Sequence, residues 1–184
     1  MKKIYLLFLG AVLFTACNSG TETSTEATSG TVIETHGQSG VQDETSQPNV
    51  VQVAVSSPDH STLVTAVKAA DLVNALSNAG PFTVFAPSNA AFEKLPKGTV
   101  EGLLKADQKD ALTDILQYHV YVGVLKTDQL MDGQNLGMVN GGNIQITMQD
   151  GKPVINGKAH IVASVPASNG IVHVIDEVLT APAK

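Results

Sequence analysis

A lone cysteine, Cys17, set directly after a short apolar run, constrains this chain more than any other feature. With a single thiol there is no disulfide framework, so whatever folds must be held by its hydrophobic core. Met1, Lys2 and Lys3 make a positive start and residues 4–14 are almost wholly apolar, the layout of an export signal. As a helix those 11 residues would rise about 16 Å, roughly half a bilayer core, too short for a lasting membrane span.

The run ends in Phe14-Thr15-Ala16-Cys17. Small residues just before a cysteine resemble the lipobox of bacterial lipoproteins, which implies a signal peptide over residues 1–16 and lipidation of Cys17 as the mature N-terminus. The membrane is then a partner through that lipid: each buried methylene adds about 0.8 kcal/mol, and two or three acyl chains anchor stably where one does not. Asn18 stands where an aspartate commonly retains lipoproteins in the inner membrane, so the expected location is the outer membrane, with the face left open.

Residues 17–48 are expected to form the lipidated cysteine and a disordered tether. From Asn18 to Pro48 there are twelve Ser or Thr, five acidic residues and no Lys, too little apolar surface to offset the entropy of ordering. A flexible chain of that length spans on the order of 30 Å. Residues 49–184 remain, one domain's worth of chain. They carry nine Lys against twelve acids, so no nucleic-acid partner is expected. All basic residues are Lys; without Arg there is no guanidinium fork for phosphate chemistry.

Alternation in Val51-Gln52-Val53-Ala54-Val55 predicts a strand. Ser57 as N-cap, Pro58 at the first helical position and Asp59 near the positive dipole end predict a helix, with Leu63, Ala66, Val67 and Ala70 on one stripe. A second helical segment carries Leu72, Val73 and Leu76 and is expected to stop at a left-handed Gly80 before Pro81. Phe82-Thr83-Val84-Phe85 reads as a strand, residues 88–95 as a capped short helix, and residues 109–118 as a helix whose stripe of Leu112, Ile115 and Leu116 reaches His119. The last third has period two: Ile144, Ile146 and Met148 alternate with polar residues, Asp150-Gly151 and Asn156-Gly157 are turn pairs, and residues 161–165 and 171–178 give two more strands around Asn169-Gly170. Helices first and antiparallel strands after predict an α+β domain.

In this order the segments resemble a fasciclin domain. Phe82-Thr83-Val84-Phe85-Ala86-Pro87-Ser88-Asn89-Ala90-Ala91-Phe92 is similar to the family's first signature, Tyr118-His119 to its central pair, and Asn169-Gly170-Ile171-Val172-His173-Val174-Ile175-Asp176 to its closing signature. The resemblance covers residues 49–181. It implies a wedge of two small β-sheets with helices packed around one side, and a role in adhesion or extracellular interaction. Where the family often has Pro-Gly after the Tyr-His pair, Val122-Gly123 predicts a less constrained loop. Some animal adhesion repeats carry Asp-Ile, linked to integrin binding, before the closing signature; Ser164 and Val165 stand there, so that recognition is not carried over.

The family's adhesion role makes Tyr118 and His119 a candidate interaction pair. Helical spacing argues the other way for His119, placing it on the core side as a hydrogen-bonded structural residue, while Tyr118, one position off the stripe, is expected to be partly exposed. His173 shares a strand face with Ile171 and Ile175 and reads as a core histidine. The five histidines are scattered without ligand spacing, no Gly-x-Ser-x-Gly occurs, and Asn140-Gly141-Gly142 reads as a turn, so no metal, cofactor or catalytic residue is expected. The leading expectation is a lipid-anchored, non-enzymatic envelope protein with an unknown protein or polysaccharide partner. The alternatives are a small-molecule or glycan receptor using a cleft between sheets and helices, or an unrecognised hydrolase. The absence of Trp leaves a glycan site poorly supplied with stacking surfaces.

Overall fold

A computed structural model describes residues 47–180 apart from Lys97. The expected signal peptide, Cys17 and nearly all of the expected tether lie outside the described residues.

The first element corrects the sequence reading: residues 51–55 are not a strand but part of helix α1, Val50–Ser56. The Asn49 carboxamide accepts from the amides of Val51 and Gln52, and the Gln52 side chain accepts from the Asn49 amide, a complete capping box. Alternating valines suit a strand, but packing of Val50, Val51 and Val53 against neighbouring helices outweighs their weak helix propensity.

A 3₁₀ turn at Pro58–His60 leads into α2, Ser61–Ala69. The Ser57 hydroxyl meets His60 Nδ1 at 2.9 Å and does not cap the turn. A left-handed Asp71 (φ 62) closes α2, the Leu72 amide donating to the Val67 carbonyl, and α3, Val73–Ser77, follows; contrary to expectation it does not stop at a left-handed Gly80 but at an extended Asn78. Gly80 leaves room for the Phe82 ring, to which a Cβ there would come within 2.9 Å. Three more helices follow, α4 at Asn89–Glu93 capped by Ser88, α5 at Thr99–Leu103 and α6 at Lys109–Gln117.

The strands are β1 Phe82–Pro87, β2 Val120–Val122, β3 Asn135–Gly137, β4 Asn143–Gln149, β5 Lys152–Ile155, β6 Ala159–Ala167 and β7 Gly170–Ile175. They bond in the order β2-β1-β7-β6-β5-β4-β3, with β1 and β7 parallel and every other pair antiparallel. The α+β class holds, and the two small sheets form one series joined through β6. Its start pairs with β5 (Ile155 opposite Ala159), and beyond a bulge between Ile161 and Ala163 it pairs with β7 alone. The Val139 amide donates to the Val120 carbonyl, so the two ends of the series approach each other. Both predicted turn pairs have two positive φ angles, 51 and 74 at Asp150-Gly151, which closes a two-residue hairpin, and 52 and 67 at Asn156-Gly157, where Ile155 opposite Ala159 makes the connection one residue longer.

Strand alternation divides the core in two. Ala86 and Val172 face the helices, packing with Leu63, Ala66, Leu112 and Leu116. Phe85 and Ile175 face the other way, into a cluster with Ile144, Ile146, Ile155 and Leu179. Each of the larger side chains, Val, Leu, Ile or Phe, contributes roughly 1.5–3 kcal/mol through burial. The sheet's parallel pair depends on Gly170, where a Cβ would meet the Phe82 carbonyl oxygen head-on.

Candidate functional site

The Tyr-His pair sits where α6 hands over to β2, and both residues are buried. Tyr118 is fully buried, contrary to the partial exposure expected from its place off the helical stripe. It is the C-cap of α6, the point at which helical spacing ceases to govern direction, and Tyr118, His119 and Val120 are all buried in succession. Its hydroxyl donates to the Asn143 carbonyl at 2.7 Å and accepts from Asn156 Nδ2 at 3.3 Å. Gly142 is tied to the same ring, since a Cβ there would lie 2.8 Å from it.

His119 is buried as its spacing predicts. The Leu179 amide can only donate, so Nε2, 2.9 Å away, is the acceptor; the Ile115 carbonyl can only accept, so Nδ1, 2.8 Å away, carries the proton. The ring is thereby fixed as one neutral tautomer, and burial pushes its pKa down to about 4. His119 pins the C-terminal segment to the end of α6.

His173 is also in the core. Its Nε2 donates to the Leu125 carbonyl at 2.8 Å, leaving Nδ1 to accept from Ser164 Oγ at 2.7 Å, and Thr127 Oγ1 lies 2.9 Å from the same serine oxygen. Burial lowers its pKa. The loop after β2, expected to be less constrained for want of a proline, is tied down by this chain and by Thr83, whose hydroxyl donates to the Gly123 carbonyl and accepts from the Leu125 amide. His60 is buried with Nε2 unpartnered, and burial lowers its pKa as well.

Beside Tyr118 lies an open cleft of about 430 Å³. Its walls are the end of α4 (Ala91, Lys94, Leu95), the turn from β5 to β6 and residues 177–180. Lys94 and Lys158 stand on different walls, and Glu177 on a third. The Lys94 ammonium is 3.8 Å from Asp176, which His160 Nδ1 approaches at 3.4 Å. None of the cleft's charged residues was a sequence-level candidate, because they come from segments far apart in the chain. Only the Asn156-Gly157 turn signal marked one edge. Among the described residues no cluster of three His, Cys, Asp or Glu is placed to hold a metal, and no helix is long and apolar enough to cross a membrane.

A family model described as fasciclin domain matches residues 58–181. Protein sll1483 of Synechocystis sp. is 50% identical over 129 residues, 70% of this chain and 71% of that protein. Human periostin is 33% identical over 122 residues, 66% of this chain but only 14% of its own length. In structure the chain is similar to a FAS1 domain pair from the insect cell adhesion molecule fasciclin I, with a TM-score of 0.66 and 23% identity over 72% of this chain and 51% of that one, a likeness of fold.

Proposed function

Because the chain belongs to the fasciclin domain family, we propose that it is a lipid-anchored module of the cell envelope that acts by associating with protein or matrix partners and not by catalysis. The observation that carries this reading is the surface of β6. Residues 162–166 are exposed in succession, with Val162 68% accessible, and from Ala163 onward no strand among the described residues pairs with the outer edge of β6. Val162 stands in the bulge and Val165 on the stretch paired with β7, and exposed apolar side chains held beside a paired strand offer contact area with little left to order on binding. The insect fold neighbour comes from a cell adhesion molecule, which accords with the same class of activity. The motif histidines support it from the other side, because both ring nitrogens of His119 and of His173 are taken up within the fold.

Lipidation of Cys17 would hold the domain at the membrane, and the Ser/Thr-rich segment would set its reach. The test uses the full chain with Cys17→Ser, applied to envelope and matrix material. Saturable retention, weakened by Val162→Asp while thermal unfolding stays unchanged, is expected. Turnover of an ester, glycoside or peptide substrate by the same preparation would defeat the reading.

A further inference from the structure

We propose that the cleft beside Tyr118 binds short apolar peptides by their two charged termini, a ligand site separate from the β6 surface. Its volume, about 430 Å³, falls in the range of small-molecule sites, roughly 300–1,000 Å³. Leu95, Ile155 and Val178 line it with apolar surface. Of its charged groups, Lys94 is matched by Asp176 at 3.8 Å. Lys158 and Glu177 both line the cleft, and neither has an ion-pair partner among the described residues.

These two groups sit on different elements, Lys158 in the turn between β5 and β6 and Glu177 just past β7, so residues of opposite charge border one space without forming an ion pair with each other. An anionic ligand would satisfy Lys158 and face Glu177 unfavourably, and a cationic ligand would do the reverse. A ligand with an ammonium at one end and a carboxylate at the other matches both, and the apolar lining calls for an apolar body between them. A di- or tripeptide with free termini has that form. A neutral sugar has neither charge, and the one aromatic ring at the cleft, Tyr118, is buried with its hydroxyl already bonded.

Leucyl-leucine titrated calorimetrically into the full chain at low ionic strength is the test. Saturable binding is expected, reduced about tenfold when the amine is acetylated and about tenfold when the carboxylate is amidated. Glu177→Gln should lower affinity for the free peptide and leave that for the acetylated peptide unchanged. Lys158→Gln should do the same for the carboxylate end, and because Lys158 is exposed this variant keeps the test intact if Glu177→Gln fails to fold. No saturable heat, equal binding of free and doubly blocked peptide, or affinities untouched by both substitutions would overturn the proposal.

Discussion

His119 illustrates how much one side chain can organise when its partners leave it no choice of tautomer. Protonation would set an N–H against the Leu179 N–H, so the charged form is opposed by geometry as well as by burial. Its folded pKa of about 4 lies below the unfolded value near 6.5. Between those values the unfolded chain takes up a proton that the folded one refuses, so stability is full above about pH 6.5 and falls by about 3 kcal/mol as pH drops to about 4. His60 and His173 are shifted in the same direction and steepen the loss. Urea unfolding across pH 4–7 measures this; a flat profile would contradict it. At pH 7, His119→Ala should cost about 2–4 kcal/mol, through a cavity and two stranded backbone groups. The burial of His119 was legible in the sequence, since it continues the Leu112, Ile115 stripe, but that of Tyr118 was not, since the chain leaves the helix at that residue.

Among the elements, hairpins were the most legible, because Asp150-Gly151 and Asn156-Gly157 encode their own backbone geometry. The first helix was the least, because its decisive signal is the Asn49–Gln52 pair while its valines point to a strand. Asn49→Ala should therefore destabilise by about 1 kcal/mol, seen as a shift in the urea midpoint without a change in slope. Two glycines separate space from propensity. Gly170→Ala forces β1 and β7 apart and should cost about 3 kcal/mol. Gly102→Ala, in α5 with nothing within 4 Å of the added carbon, should stabilise by about 0.5–1 kcal/mol. The cleft was invisible at this scale, since periodicity says nothing about which separated segments meet.

On the scale of the whole molecule, the segment before the domain enters through the Pro48 carbonyl, which accepts from the Ser168 amide at the end of β6. Cys17→Ser should leave thermal unfolding unchanged and move the protein from the membrane pellet to the soluble fraction. Partner retention should depend only weakly on salt, because the domain's nine Lys and twelve acids are near balance and the β6 surface from Ile161 to Asn169 carries no charge.

That same strand carries a hazard that lipid anchoring would sharpen. Chains crowded onto one membrane meet each other far more often than chains in solution, and an open strand edge is a template for stacking copy upon copy. The bulge between Ile161 and Ala163 breaks the regular spacing of the edge at one end, and Pro166 withholds an N–H near the other. Proline is tolerated in a strand bonded on one side where its nitrogen faces away from that ladder, so the edge it leaves is incomplete. Pro166→Thr should restore it, and sedimentation should then find concentration-dependent oligomers where the unaltered protein gives none. A proline near the end of an exposed apolar strand would thus leave a sticky surface available to foreign partners while denying it to the protein's own kind.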